Sequence, residues 1–83
     1  MIKITTGDAI RKRILELCKE NNITINKLAT ISGVTQSTIN NIISKRNNST
    51  TVATIKKLCD GIEITISDFF DTDYFNNLEQ ELK

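Results

Sequence analysis

Apolar side chains recur every three to four positions along most of the chain, the spacing that places them on one face of an α-helix. The first such stripe consists of Ile10, Ile14, Leu17 and Cys18, with charged residues between them. A second stripe follows further along: Val52, Ile55, Leu58, Cys59 and Ile62. Its Thr-Val-Ala-Thr-Ile segment has strand propensity, but the period favours a helix. The pattern therefore predicts an all-α protein.

Threonine precedes each predicted helix, and a threonine hydroxyl at the N-cap can accept a hydrogen bond from a backbone N–H that the helix leaves unpaired. The predicted caps are Thr6, Thr24, Thr35, Thr51 and Thr65. Five short helices, and hence an all-α bundle, are predicted. Phe75, Leu78 and Leu82 are spaced for one side of a short extra C-terminal helix.

The 83 residues suffice for one small domain with a single core. No internal repeat or linker divides the chain. We assign residues 1–71 to the domain, with residues 1–7 as an N-terminal arm, and residues 72–83 to an acidic C-terminal tail.

Composition excludes several kinds of chemistry. Histidine is absent, and the two cysteines, Cys18 and Cys59, form no CxxC pair, so histidine triads and common zinc sites are ruled out. We find no clustered carboxylates and no Gly-rich phosphate loop, so we expect no enzyme, metal or cofactor, and no small-molecule ligand is evident.

No apolar run reaches the length of a membrane span and no signal peptide is visible. These features predict a cytoplasmic protein.

The net charge of +1 hides a strong asymmetry. Residues 1–57 carry ten Lys and Arg against three acidic residues, a net of +7, whereas residues 58–83 carry one Lys against seven, a net of −6. A basic body with an acidic end suggests a polyanionic partner for one surface. Two solvated faces of opposite sign would give the same count.

The most informative segment spans residues 25–42, where two short predicted helices meet at a three-residue turn. Ala29 is small and allows the helices to cross closely, and Gly33 stands where the turn needs a positive φ. Val34 and Ile39 are placed to fill the crossing. This is the helix-turn-helix pattern, in which the second helix enters the major groove of DNA.

The sequence resembles the Cro and phage-repressor class, also called the XRE family, over residues 8–71. The resemblance includes KKLCDGIEITISDFFD, which is similar to the family's fourth and fifth helices. It implies a compact five-helix fold and a bacterial or phage origin. The chain departs from the family at four positions: Ile25 replaces a frequent Gln, Lys45 a Gly, Thr50 a Pro and Glu63 a Gly, and we expect Glu63 to strain its turn.

Four polar side chains are predicted to face outward from the recognition helix, at about residues 35–44, because Ile39 and Ile42 face inward. These candidate base-contacting residues are Gln36, Ser37, Asn40 and Asn41. The resemblance implies base contacts at the first two helical positions and at Asn41. Amides can pair bidentately with adenine, and serine can bond several bases. Alternatively, the amides are simply surface residues that a helix tolerates.

Phosphate contacts orient a protein on DNA without reading its sequence. The candidates flank the recognition helix or cap the two helices of the motif: Thr24, Lys27, Thr35, Thr38, Lys45, Arg46, Asn47 and Asn48. Lys45 and Arg46 could instead complement the dipole of the helix C-terminus. Arg11, Lys12 and Arg13 are expected to form a solvated face.

We therefore predict a sequence-specific regulator that binds double-stranded DNA and acts as a repressor. A homodimer reading a pseudo-palindromic operator is expected, because one recognition helix buries limited surface. The candidate interface comprises Ile62, Ile64, Ile66, Phe70 and the Phe75, Leu78 and Leu82 stripe. The alternative is a protein-binding module, antitoxin-like or inhibitory, that uses the same fold and its acidic tail against a protein partner.

Overall fold

The computed structural model describes residues 5–44 and 50–78, and all regular secondary structure in these two ranges is helical. The helices, in chain order, are α1 (Thr6–Glu20), α2 (Ile25–Ser32), α3 (Gln36–Ile43), α4 (Val52–Gly61), α5 (Ile66–Phe70) and α6 (Asp73–Asn76). The predicted all-α bundle is confirmed. The short extra helix is α6, which contains Phe75 but ends before Leu78.

Each of the six helices begins after a threonine whose hydroxyl accepts the backbone N–H three residues along. The predicted cap of α1 is wrong by one residue, because Thr5 and not Thr6 caps it. With Thr5 at the N-cap, Asp8 stands at the third helical position, and its carboxylate accepts the Thr5 N–H at 3.3 Å. This reciprocal capping box satisfies two backbone donors at once. The Thr5 N–H and the Arg11 guanidinium lower the pKa of Asp8.

Three connections between helices repeat one three-residue pattern: a left-handed residue, a half-buried β-branched aliphatic residue, and the threonine that caps the next helix. They are Asn22-Ile23-Thr24, Gly33-Val34-Thr35 and Glu63-Ile64-Thr65. In each, the aliphatic residue donates its N–H to the carbonyl five residues back, at 2.9, 3.0 and 2.9 Å. This Schellman closure ends one helix, buries an apolar side chain and starts the next helix within three residues.

Glu63 occupies the left-handed position after α4, with φ 60°. A side chain with a Cβ is disfavoured there by roughly 1 kcal/mol, and neither glycine's freedom nor asparagine's local hydrogen bonding is available to glutamate. The expected strain at this turn is therefore confirmed.

The core lies between α1, α2, α3, α4 and α5. Its largest fully buried side chains are Phe69, Ile14, Leu28, Ile39, Leu58 and Cys59. The predicted stripe of α4 is correct from Ile55 onward but wrong at Val52, which is 65% exposed. Val52 is the first residue of α4, and the helix enters the core only one turn later.

Helices α2 and α4 pack against each other, and Gly61 of α4 lies directly against Ser32 of α2. A Cβ added to Gly61 would lie 2.2 Å from the Ser32 hydroxyl oxygen and 3.1 Å from the Ser32 Cα. Ser32 is buried, and its hydroxyl has no hydrogen-bond partner among the described residues. The absence of a side chain at Gly61 therefore sets the distance between these two helices.

The expectation of a solvated basic face on α1 is correct for Lys12, which is exposed, but wrong for Arg11 and Arg13, which are half-buried and hydrogen-bonded. Arg13 donates from Nε to the Phe69 carbonyl at 2.7 Å and from Nη2 to the Asp68 carbonyl at 2.8 Å. These carbonyls lie in the last turn of α5, where a cation also complements the helix dipole. Arg11 pairs with Asp8 at 2.9 Å. The Lys12 ammonium lies 4.5 Å from the centre of the Tyr74 ring.

The first part of the predicted acidic tail packs against the helical body. Helix α6 contacts α1, and the Tyr74 hydroxyl donates to Glu16 Oε1 at 2.6 Å. The Phe75 ring lies 4.8 Å from the Phe70 ring, measured between centroids, in an edge-to-face arrangement. Residues 72–78 thus share one packed unit with α1 and α5, while Leu82 lies outside the described residues.

We expect Tyr74→Phe to lower the free energy of unfolding by about 1 kcal/mol at neutral pH, because it removes the hydrogen bond to Glu16. Burial first, and then the bond to Glu16, raise the pKa of Tyr74 from 10.0 to about 12. The raised pKa means that this stabilisation is complete below about pH 10 and is lost as the pH rises towards 12. Urea denaturation of both proteins across this pH range measures the difference.

The stability curves of the original protein and Tyr74→Phe should therefore converge in alkali. Curves that remain parallel from neutral pH to pH 12 would contradict the Tyr74–Glu16 contact.

Candidate nucleic-acid interface

Helix α3 is held in place by a tight turn and by its own apolar side. Gly33 ends α2 in the left-handed region, with φ 69° and ψ 27°. Ala29 is fully buried at the crossing, which allows α2 and α3 to approach closely. Ile39 and Ile42 anchor α3 in the core. The predicted helix-turn-helix geometry is present, and it leaves the opposite side of α3 in solvent.

The four predicted base-contacting residues are all exposed: Gln36, Ser37, Asn40 and Asn41. They form two pairs spaced by four residues, so the members of each pair lie one above the other along α3. Ser44, the C-cap of α3, is also exposed and follows Asn40 by the same spacing. Ser44 was not among the predicted base-contacting residues, although the helical period places it on the same side of α3 as Asn40. We call the surface formed by these five residues the polar face of α3.

Thr35 and Thr38 form a hydroxyl pair at the N-terminus of α3. The Thr35 hydroxyl accepts the Thr38 N–H at 3.1 Å and lies 2.8 Å from the Thr38 hydroxyl. One of the two hydroxyl hydrogens joins the two oxygens, and the other remains available to a further acceptor. The cap therefore leaves one outward donor, as a phosphate contact needs.

Thr24 and Lys27 are both exposed at the start of α2. The Thr24 hydroxyl accepts the Lys27 backbone N–H at 3.0 Å and keeps its own hydrogen for another acceptor. Ile25, which replaces the family's frequent Gln, is half-buried and packs against the core.

Lys45, Arg46, Asn47 and Asn48 lie outside the described residues, and their phosphate contacts stay a prediction.

The same hydroxyl pairing found at Thr35 recurs at the start of α4, where the Thr51 and Thr54 hydroxyl oxygens are 3.0 Å apart. The Thr-x-x-Thr spacing that the two sites share is the sequence signal for this pairing.

Part of the basic excess is neutralised within the fold. Arg11 pairs with Asp8, Lys56 pairs with Asp60, and Arg13 lies 3.7 Å from Glu16 in addition to its carbonyl contacts. Among the lysines and arginines of residues 5–44 and 50–78, four are exposed and form no ion pair with another described residue: Lys12, Lys19, Lys27 and Lys57. The net charge of residues 1–57 counted from the sequence is therefore larger than the number of unpaired positive charges that the described surface presents to phosphates.

The described residues show neither a metal cluster nor an activated thiol. No group of three or more Cys, Asp or Glu side chains in these ranges could hold a metal ion. Burial raises the pKa of both Cys18 and Cys59 and so favours their protonated, unreactive forms. None of the described helices combines the length and the apolar character needed to cross a membrane.

Comparison with known proteins identifies the family. Residues 13–73 match the model of the Cro/C1-type HTH DNA-binding domain. The fold is similar to the crystal structure of the prophage Lp1 protein 11, with 36% sequence identity and a TM-score of 0.81, covering 93% of this chain and 100% of that chain. No curated protein sequence matches the chain. Because the family model covers most of the sequence, the chain belongs to the Cro/C1-type helix-turn-helix family of DNA-binding regulators.

Proposed function

We propose that this protein is a sequence-specific transcriptional regulator that places α3 in the major groove of double-stranded DNA. The observation that carries the proposal is the polar face of α3, because its side chains project from a helix whose other side is fixed in the core. A rigid helix presents base-reading groups with little loss of conformational entropy on binding. Exposed Thr24, Lys27 and the Thr35–Thr38 pair supply phosphate contacts beside it.

Repression follows from occupancy alone. A protein bound over a promoter excludes other proteins from the same DNA, and this requires no surface beyond the DNA interface. We therefore assign the role of repressor rather than activator.

We further propose that two copies bind a pseudo-palindromic operator. One small module buries limited DNA surface, and a two-fold pair reads two half-sites about one helical turn apart. The apolar residues available for self-association are partly buried and lie around α5 and α6: Ile62, Ile64, Ile66, Phe70, Phe75 and Leu78. Most of these already pack against the core, which leaves their outer edges for a partner.

The proposed function is tested by selecting bound duplexes from a randomised DNA library at about 150 mM salt. An enriched inverted repeat is the expected result. If folded protein enriches no sequence, the DNA-binding proposal is wrong and the protein-partner alternative gains weight. The observation that favours the alternative is the exposed acidic group around α5 and α6: Asp68, Asp71 and Asp73.

Gln36→Ala should weaken binding to the selected operator about tenfold and relax the preference at one base position, since a bidentate amide–base pair contributes about 1–3 kcal/mol of discrimination. The measurement is a binding titration on the operator and on its single-base variants. Asn76→Ala is the matched control, because Asn76 is an exposed amide on α6. Equal base preferences in the original protein and Gln36→Ala would contradict the assignment of Gln36.

A further inference from the structure

We infer that α3 reads adenine, so that the specific contacts of each half-site fall on A·T base pairs and α3 makes no bidentate contact to guanine. This inference rests on the proposed function and specifies the class of DNA that the polar face recognises. Its basis is the chemistry of the exposed side chains and their spacing on α3.

The eight residues of α3, QSTINNII, contain no charged side chain. The polar face carries three amides, Gln36, Asn40 and Asn41, together with the hydroxyls of Ser37 and Ser44. In the major groove guanine presents two neighbouring acceptors, N7 and O6, which match the two donors of arginine or the ammonium of lysine. An amide that faces guanine in the same way would bring its carbonyl oxygen against one of these acceptors.

Adenine presents the pattern that an amide satisfies. Its N7 accepts and its N6 amino group donates, so one side-chain amide can donate to the first and accept from the second. The serines bond either purine and therefore discriminate little. An amide can also donate its N–H groups to guanine, but its carbonyl oxygen then finds no donor on that base. The chemistry of the polar face thus favours adenine at up to three positions and provides no cation that would select guanine.

The spacing of the amides matches the stacking of bases. Gln36 and Asn40 are four residues apart, which is about 6 Å along a helix axis. Successive bases on one strand are separated by about 3.4 Å, so the two amides span about two base steps. Asn41 lies next to Asn40 on the following turn of α3, so the three amides fall within a short run of adjacent base pairs.

The described cations do not alter this reading of α3. Lys27 is the exposed cation of the helix-turn-helix, but it belongs to α2 and stands beside the phosphate candidate Thr24. Arg11 and Arg13 are held by Asp8 and by the carbonyls of α5. A guanine contact made through α3 would therefore lack a cationic donor.

The test uses the enriched duplex from the library selection, resynthesised with single purine substitutions. Replacing adenine by 7-deazaadenine removes the N7 acceptor and leaves Watson–Crick pairing intact, and 7-deazaguanine does the same for guanine. We expect 7-deazaadenine to weaken binding about tenfold at one or more positions of each half-site. This sensitivity should disappear at one position in Gln36→Ala and at another in Asn40→Ala or Asn41→Ala, and it should persist in Asn76→Ala.

Each other outcome has a distinct meaning. Enriched duplexes that are weakened by 7-deazaguanine, with that effect abolished by Gln36→Ala, Asn40→Ala or Asn41→Ala, would overturn adenine reading and leave the proposed function intact. Enriched duplexes in which no α3 variant changes the response to 7-deazaadenine would also overturn it. If no duplex is enriched by the folded protein, the proposed function itself fails, and adenine reading fails with it.

Discussion

Phe69→Ala should lower the free energy of unfolding by about 3–5 kcal/mol, the usual cost of removing a fully buried aromatic ring. Phe69 is 0% exposed, and its ring centre lies 4.9 Å from that of Phe70 and 6.2 Å from that of Phe75. A domain of this length has a total stability of roughly 4–12 kcal/mol. The variant should therefore lose a large part of its stability and unfold at a clearly lower temperature or urea concentration, as denaturation followed by circular dichroism would show.

Phe70→Ala is the matched control, because it removes the same ring from the neighbouring residue of α5. Phe70 is only half-buried, so we expect a clearly smaller loss than for Phe69→Ala. The backbone carbonyl of Phe69 that accepts the Arg13 hydrogen bond is present in both variants. Equal losses in the two variants would contradict the burial of Phe69 described above.

Much of the architecture was predictable because it depends on short-range rules. The apolar period identified α1, α2, α3 and α4, and threonine capping located five of the six helix starts to within one residue. The error at α1 arose because Thr5 and Thr6 are adjacent and equally able to cap. Only the reach of the Asp8 carboxylate back to the Thr5 N–H distinguishes them, and that is a three-dimensional relationship.

Long-range contacts were not predictable in the same way. Arg13 and Phe69 are 56 residues apart along the chain, and no local pattern pairs them. The Tyr74–Glu16 bond spans 58 residues. Each depends on how α5 and α6 return to α1, which the helical period does not determine. Val52 was predicted to be buried but is exposed. The helical period was correct there, but it does not determine at which residue of the helix the core begins.

The exposed side of the candidate interface was predictable for one physical reason. Ile39 and Ile42 must be buried, and once they are, the helical period turns Gln36, Asn40 and Asn41 outward. The DNA contacts of these residues stay predictions, because exposure is necessary for base reading but equally consistent with an ordinary solvated surface. Ser44 was not predicted as part of the polar face, because the family resemblance indicates base contacts only nearer the start of α3.

Gly61→Leu should lower the free energy of unfolding by about 3 kcal/mol, because the new side chain has no room between α2 and α4. Its Cβ alone would meet the Ser32 hydroxyl oxygen at 2.2 Å and the Ser32 backbone at 3.1 Å. Rotation of the Ser32 hydroxyl could relieve the first contact but not the second, so the helices must separate. The greater helix propensity of leucine offsets only about 1 kcal/mol of this cost. Chemical denaturation measures the net change.

Two further variants identify the cause of this loss. Ala53→Leu introduces the same side chain at an exposed position of the same helix, and we expect a change within about 0.5 kcal/mol. Ser32→Gly removes the side chain that faces Gly61, so combining it with Gly61→Ala should cost less than the sum of the two single changes. Strict additivity in that double-mutant cycle would mean that Ser32 and Gly61 do not touch. Coupling between them would show that the spacing of α2 from α4, and with it the support beneath α3, depends on a glycine.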